Sequence, residues 1–542
     1  MADKKNSPVL LDCTLRDGGY YNDWDFDPLL VSRYFRAVEQ AGIDVVEVGF
    51  RFFKKDKFLG PHAYTTDALL REMPLPKKAK ISVMINASDL VGYPDGQISA
   101  IDALFDPAVE SPVDMVRVAS HMTEAPSLGP AIKRLKKLGY HVGVNLMQIG
   151  RYSGVEIRDT VSVIRSWNAA DVLYFADSLG NMREEKIVET VMSIASEWSG
   201  PIGIHAHDNM GQGLHNTLVA HEHGATWLDA TILGMGRGAG NPRMEFVVSE
   251  MRHRGCQQYN PNALLSVSME DFSALQKRYG WGTNLLYYSS AQHEIHPTYV
   301  QSMYNDLKYD LPHVVGAMEM LKEMGGHSFS RHGLSRAVSA VSGDGVGNWD
   351  ASEWLNNRDV LLLGAGPSVQ QYANYIEGYI RETNCAVLSL NSNSPVSSEL
   401  ITAFIACHPS RILADIDDYI DRKPATILPV ATLHPVVKER LSQVDHLDYG
   451  VTVNDSEYSV GSSGCVIPTL VVAAYAMALA TAAGARRILM VGFDGFEGVD
   501  QRQKDMIDVI ERYQDIDNAI PLVALTPTNY PVHRSSLFAP ID

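Results

Sequence analysis

Thr14-Leu15-Arg16-Asp17-Gly18 near the start of the chain and His205-Ala206-His207-Asp208-Asn209 in its middle carry residue types that could hold one divalent metal between them. A carboxylate and imidazoles are ordinary ligands for such an ion, and an arginine beside it adds a permanent positive charge, a combination that steadies an enolate. The two histidines stand at i and i+2, the spacing that puts both on one face of a β-strand. Pro201-Ile202-Gly203-Ile204 reads as a short buried strand leading into the pair. Two histidines within three residues also occur as packed core residues, so their spacing alone leaves both readings open. The Arg-Asp segment favours the metal.

Residues so far apart in sequence need a framework that returns the chain repeatedly to one rim. Short apolar runs alternate with helical stretches through the first half, the pattern of a parallel sheet wrapped by helices. Eight strands are expected, at Val9-Asp12, Val45-Gly49, Ile81-Ile85, Met115-Ala119, His141-Leu146, Val172-Ala176, Ile202-His207 and Trp227-Thr231. Eight βα units predict a (β/α)8 TIM barrel, whose active site lies at the C-terminal ends of the strands. Those ends carry Arg16, Asp17, Glu47, Arg51, Asn145, Asp177, His205, His207 and Asn241.

Three motifs then make a resemblance specific. Asp12-Cys13-Thr14-Leu15-Arg16-Asp17-Gly18 after the first strand, His205-Ala206-His207 on the seventh and Gly234-Met235-Gly236-Arg237-Gly238-Ala239-Gly240-Asn241 after the eighth resemble the HMG-CoA lyase-like and pyruvate aldolase metalloenzymes, among them the 4-hydroxy-2-oxovalerate aldolases. The similarity covers roughly the first 300 residues, a usual barrel length. It implies Asp17, His205, His207 and Asn241 as metal ligands, with Mn²⁺ or Mg²⁺ favoured by the mixed N/O set and Zn²⁺ also compatible. It implies Arg16 as the group that holds the substrate's oxygen. Glu47 matches an acidic position that is functional in HMG-CoA lyase, and anchoring a hydrogen-bond network inside the barrel is the equal alternative. Arg51, Asn145 and Asp177 are expected to shape the substrate pocket.

Two departures bear on the substrate. The aldolases carry a histidine two residues after the motif's glycine, where this chain has Tyr20. A tyrosine with a pKa of about 10 is a poor resting base, so the proton carrier must be reassigned among Tyr20, Tyr21 and metal-bound water. HMG-CoA lyases carry a cysteine in the loop after the eighth strand; none lies between Gly234 and Asn241, which disfavours a coenzyme A thioester.

Residues 1–261 are therefore read as the barrel, and 262–340 as a helical extension completing the active site, similar to the one that follows the barrel in pyruvate aldolases. Within it Trp281-Gly282-Thr283-Asn284-Leu285-Leu286-Tyr287-Tyr288 resembles the segment that returns a tyrosine to the site. That implies Tyr288, and with it His293, as late contacts, against the alternative of an aromatic stripe packed in a helical core. Glycines and polar residues mark a linker over 341–357. Residues 358–542 read as a Rossmann-like α/β domain in which Leu363-Gly364-Ala365-Gly366-Pro367-Ser368 is a strand running into a Gly-rich turn, a shape that can receive phosphate. With Gly461-Ser462-Ser463-Gly464-Cys465 it resembles bacterial sialyltransferase-like domains, some of which bind a CMP-sugar. The resemblance implies Gly364, Gly366, Ser368, Ser463 and Gly464 as nucleotide contacts, with Asn391, Asn393 and His408 on the sugar side.

Composition sets outer limits. A net charge of -18 argues against a nucleic-acid surface, and five scattered cysteines without CxxC spacing point to a reducing cytoplasm. The polar start leaves no room for a signal peptide. Val466 to Ala485 is uncharged but rich in alanine, and is read as a buried helix rather than a membrane span. The leading expectation is a metal-dependent aldolase for a 4-hydroxy-2-oxo acid, acting on a small 2-oxo acid and an aldehyde in unusual-sugar or glycan chemistry. A homo-oligomer is expected. The alternatives are an acetyl-CoA-dependent Claisen-type synthase and a glycosyltransferase that uses the barrel as a scaffold.

Overall fold

A computed structural model describes residues 8–304, 309, 311–339, 345–392, 394–420, 426–496 and 500–539. The chain divides into two compact units, Met1–Asn305 and Asp306–Asp542.

In the first unit eight parallel strands close into a barrel in sequence order. They are β1 (Val9–Asp12), β2 (Val45–Phe50), β3 (Lys80–Asn86), β4 (Met115–His121), β5 (His141–Met147), β6 (Val172–Asp177), β7 (Ile202–Ala206) and β8 (Trp227–Ala230). The barrel expected from the apolar runs is therefore the observed one. His207 lies one residue beyond β7, on the rim. Outward-facing Val, Ile and Leu of the strands pack with helices such as Pro28–Ala41 in one large apolar core. That helix starts on Asp27, whose carboxylate accepts from the amides of Leu29 and Leu30, and stops at Gly42, whose φ of 79° a side chain would strain.

The inside of the barrel is charged at mid-height. Even-numbered strands of a TIM barrel contribute one four-residue layer together. Here that layer is Glu47, Arg117, Tyr174 and Asp229, all fully buried or nearly so. The Arg117 guanidinium donates to both carboxylate oxygens of Glu47, at 2.7 and 2.9 Å, and to Asp229 Oδ2 at 2.7 Å. It lies over the Tyr174 ring at 4.5 Å.

One further buried group sets an acid limit on this unit. His62, whose Nδ1 donates one bond at 2.7 Å to the Val48 carbonyl, is pushed by burial from 6.5 down to about 4. The folded state keeps it neutral while the unfolded chain takes up a proton below pH 6.5, so stability falls as pH drops from 6.5 towards 4. The full loss from this group is about 3 kcal/mol. Urea midpoints at pH 7 and 4.5 should differ less for His62→Gln than for the parent protein.

The second unit holds an eight-stranded, all-parallel sheet. Its strands are β9 (Asp359–Leu363), β10 (Ala386–Leu390), β11 (Ala403–Ile405), β12 (Thr426–Leu428) and β13 (His446–Asp448), continued by β17 (Arg487–Val491), β18 (Leu522–Ala524) and β19 (His533–Arg534). A separate three-stranded sheet contains β14 (Gly450–Val453), β15 (Ser459–Gly461) and β16 (Gly464–Ile467). Strand order in the large sheet is β13-β12-β11-β10-β9-β17-β18-β19, so the winding direction reverses between β9 and β17. The alanine-rich run folds as β16 and the buried helix Val472–Ala482. Among the described residues no helix is long and apolar enough to cross a membrane.

Two expected boundaries shift. The helices Leu311–Met324 and Arg331–Ser339 fall in the second unit, where Gly316 lies against the Ser410 backbone too closely for a Cβ. The expected extension over 262–340 is thus divided between the units. The described part of the expected linker, residues 345–357, packs into the second unit: the amides of Gly347 and Ala351 donate to the carbonyls of Ser463 and Ser462, and Leu355 is buried in its core.

Candidate functional site

Three loops at the C-terminal rim of the barrel converge on one cavity. Cys13 links β1 to the helical turn Thr14–Asp17, which is anchored where the Asp12 carboxylate accepts from the Thr14 amide and where Thr14 Oγ1 accepts from the Ile232 amide. This turn aims Arg16 and Asp17 inward. After β8, positive φ at Gly234, Gly238 and Gly240 folds residues 234–241 back over the rim. Gly236 is held to glycine by space instead: a Cβ there would stand 1.9 Å from Asn241 Oδ1 and 3.2 Å from Asp17 Oδ2. Asn209 joins the loops, donating to the Leu179 carbonyl and accepting from the Ala239 amide, both at 2.9 Å.

Asp17 Oδ2 lies 3.4 Å from His205 Nε2 and 3.9 Å from His207 Nε2. Ligand atoms each about 2.1 Å from one ion stand roughly 3–4 Å apart, so these three fit around one cation. Asn241 joins them with its orientation fixed: Nδ2 donates to the Ala206 carbonyl at 2.9 Å, which leaves Oδ1 without a partner. Asp17 Oδ2 is likewise buried and unpartnered. Orphaned buried oxygens are costly, and their convergence beside two imidazoles is what a cation would satisfy. Burial alone would raise the Asp17 pKa, but Arg16 and the histidines outweigh it and hold it well below the usual carboxylate range. Burial keeps His207 neutral, lowered to about 3. All four expected ligands are therefore together; Asp17 and His207 carry the protonation states a metal needs, whereas for His205 the bonds to Asp17 and Asp229 outweigh burial and raise the pKa, so a cation there would displace a proton.

His205 is shared with a second cluster, Cys13 and Asp229. Asp229 Oδ2 sits 3.0 Å from His205 Nδ1, the position of a carboxylate that fixes a ligating imidazole's tautomer and leaves Nε2 free. Burial pushes the Cys13 thiol well up, away from the thiolate a metal requires. The cluster therefore reads as support for His205.

These contacts close into a ring. Arg16 donates to Asp17 Oδ1 at 2.8 Å and to Glu47 Oε1 at 2.7 Å; Glu47 grips Arg117, Arg117 grips Asp229, and Asp229 holds His205 beside Asp17. Glu47 therefore has both carboxylate oxygens held by guanidinium groups, the network-anchoring arrangement that the sequence left level with a functional role. Despite its burial, Arg117 and Arg16 lower its pKa to about 2, and it does not line the cavity. Arg117 and Asp229, absent from the sequence-derived site, complete the ring.

The cavity, about 380 Å³ of open space, is lined by Arg16, Asp17, Tyr20, Asn145, His205 and His207, together with Phe50, Met84, Asn86, Ala119, Met147, Ala176, Ser178 and Arg237. Arg16 presents one buried nitrogen with no partner, and Asn145 Oδ1 is also unpartnered. Tyr20 is partly open to solvent, while burial of its hydroxyl pushes its pKa up.

Other expected contacts lie elsewhere. Arg51 donates to the Thr65 and Leu104 carbonyls and to Asp67, so its charge is spent on folding the loop after β2. Asp177 accepts from the amides of Asn181 and Met182 and caps the loop after β6. Tyr288 and His293 do not line the cavity. The tyrosine that approaches is Tyr287, buried, with its hydroxyl 3.3 Å from that of Tyr21, which itself donates to the Gly238 carbonyl. The helix Pro297–Tyr304 also reaches the rim: Gln301 accepts from the Gly238 amide and donates to the Tyr20 carbonyl.

In the second unit the Gly-rich turn differs from a phosphate cradle. The Gly364 and Gly366 amides donate to the Val491 and Gly492 carbonyls, and Ser368 donates to Asp494 Oδ2 at 2.8 Å. A carboxylate thus already occupies the start of the helix Pro367–Thr383. Gly464 opens β16 of the separate three-stranded sheet, and Ser463 lies in the turn that leads into it. Asn393 lies outside the described residues.

A family model described as HMGL-like matches residues 77–270. The 4-hydroxy-2-oxovalerate aldolase of Pelotomaculum thermopropionicum is 31% identical over 253 residues, spanning 46% of this chain and 71% of the relative. The protein of the same name from Carboxydothermus hydrogenoformans is 31% identical over 246 residues, spanning 45% and 71%. A crystal structure of the N-terminal domain of a Bacteroides vulgatus protein carrying an aldolase assignment is 32% identical, with a TM-score of 0.50, over 54% of this chain and 95% of that one.

Proposed function

From the premise that this chain belongs to the HMGL-like aldolase family, we propose that its barrel cleaves or forms a 4-hydroxy-2-oxo acid through a pyruvate-type enolate, at a divalent cation held by Asp17, His205, His207 and Asn241. The observation that carries this reading is the convergence of unpartnered Asp17 Oδ2 and Asn241 Oδ1 beside two imidazoles. One carboxylate, two imidazoles and one amide oxygen suit Mn²⁺ or Mg²⁺ and would also accept Zn²⁺. When bound, the cation supplies a Lewis acid that polarises the 2-oxo group.

The chain's own residues do the rest. Arg16, fixed by Asp17 and Glu47, turns its remaining nitrogen to the oxygen on which negative charge develops. Asn145 orients the substrate from the opposite wall. In cleavage the C3–C4 bond breaks, the C4 hydroxyl loses its proton as the aldehyde forms, and C3 takes up a proton. Tyr20, held protonated by burial, is suited to hydrogen-bond the C4 oxygen rather than to act as a resting base.

For the second unit we propose a ligand site in the crevice between β9 and β17, supported by the reversal of strand order there. The Asp494 carboxylate makes the hydroxyls of a ribose or sugar a better match to the turn than a phosphate. A role in unusual-sugar chemistry would follow from the pairing of the two units.

Cleavage of racemic 4-hydroxy-2-oxopentanoate, followed by pyruvate release, tests the barrel reading. Activity that disappears with EDTA and returns with Mn²⁺ is expected. Activity indifferent to chelation, or release only in the presence of acetyl-CoA, would refute it.

A further inference from the structure

Arg237 is the one cavity-lining group whose charge the proposed reaction leaves unused. Its loop is held firmly: the next residue, Gly238, sits at φ 68°, donates its amide to Gln301 Oε1 at 3.1 Å and accepts the Tyr21 hydroxyl on its carbonyl at 2.5 Å. The guanidinium carbon lies 5.5 Å from the centre of the Tyr20 ring. Arg16, Arg51 and Arg117 each carry an ion pair at 2.8 Å or less. Arg237 has none among the described residues, and its buried Nε has no hydrogen-bond partner.

A buried, unsatisfied guanidinium N–H is costly unless an anion completes it, and a planar fork suits a carboxylate or phosphate. The place of that anion follows from the lining. Arg16 lies 5.7 Å from the centre of the Phe50 ring, the Phe50 and Tyr20 rings are 6.1 Å apart, and Arg237 lies over Tyr20. The two guanidinium groups therefore stand against neighbouring rings of one aromatic shelf, Arg16 against Phe50 and Arg237 against Tyr20. Arg16 is paired with the proposed ligand Asp17, whereas Arg237 lies beside the partly solvent-open Tyr20.

We infer that Arg237 selects the aldehyde partner, and that this partner carries an anionic group, a carboxylate or a phosphate, at the end remote from its carbonyl. The inference rests on the aldolase reading above. In the addition direction pyruvate loses a methyl proton, its C3 bonds to the aldehyde carbon, and the aldehyde oxygen gains a proton; the remote anion takes no part except to seat the aldehyde on Arg237.

The test compares kcat/KM for addition of pyruvate to 4-oxobutanoate against butanal, and to glyceraldehyde 3-phosphate against glyceraldehyde, in the full chain with Mn²⁺. The parent protein should prefer the anionic member of at least one pair, and the pair that responds identifies carboxylate or phosphate as the group. Arg237→Gln should reduce that preference 10- to 100-fold, the effect of losing a charge-assisted hydrogen bond, and Arg237→Lys should keep part of it. Using the ratio within one variant cancels any general loss of folding or metal. Equal use of charged and neutral aldehydes by the parent overturns the inference. So does an Arg237→Gln variant whose only change is a raised KM for pyruvate, which would put the residue at the 2-oxo acid end. Absence of metal-dependent exchange of pyruvate's methyl protons into D₂O overturns the aldolase reading itself, and this inference with it.

Discussion

Asp17→Asn should lower aldol cleavage by about 1,000-fold or more while leaving the circular dichroism spectrum unchanged. The substitution is nearly isosteric, so packing is kept, but it removes the only carboxylate among the four proposed ligands. It also removes one of the two acids that hold Arg16. Loss of several kcal/mol of charge stabilisation in the transition state corresponds to a factor of that size. Equilibrium dialysis against Mn²⁺ provides a reading independent of turnover, and binding at the barrel should weaken at least 10-fold. Parent-level cleavage by Asp17→Asn would show that the reacting group lies elsewhere.

The second large effect is on stability. Arg117→Met should destabilise the first unit by about 3–5 kcal/mol, the usual cost of stranding buried charge by deleting its partner. Two carboxylates, Glu47 and Asp229, would be left inside the barrel without the guanidinium that now bridges them. A fall in melting temperature of roughly 10 °C follows for a domain of this size. Arg117→Lys keeps the charge but not the planar fork, so an intermediate loss is expected. Asp229→Asn provides the contrasting case: it relaxes the hold on His205 Nδ1, and a 10- to 100-fold weaker Mn²⁺ affinity should accompany it. Thermal melts and metal titrations of the three variants separate the two roles of the ring.

Much of the barrel was legible because eight apolar runs recur at βα spacing, and the observed strands begin within one residue of those expected. The proposed ligands Asp17, His205, His207 and Asn241 came from the motifs that carry the family resemblance, and they fall together because strand ends converge on one rim. Side chains on the rim loops were harder to assign. Arg51 and Asp177 have site-like identities and positions, yet Arg51 is taken up by the Thr65 and Leu104 carbonyls and the Asp67 carboxylate, and Asp177 by amides of its own loop, which a linear pattern does not reveal. Tyr287 and Tyr288 could not be separated by sequence because a one-residue rotation on a helix decides which of them faces Tyr21. The charged layer did leave a signal. Glu47, Arg117 and Asp229 interrupt otherwise apolar strands, and their shared even-strand placement marks a buried network. In the second unit the Gly-rich turn was read correctly as a strand-to-helix junction, but the carboxylate that fills it comes from Asp494, 126 residues away from Ser368.

The central claim is that Asp17, His205, His207 and Asn241 hold a cation at which a 2-oxo acid is enolised with the help of Arg16. Proton NMR of pyruvate in D₂O tests it directly. Incubation with the protein and Mn²⁺ should erase the methyl signal, and the loss should be suppressed by EDTA and absent in Asp17→Asn. Retention of the methyl signal with the metal-loaded parent protein, or equal exchange by Asp17→Asn, would contradict the account.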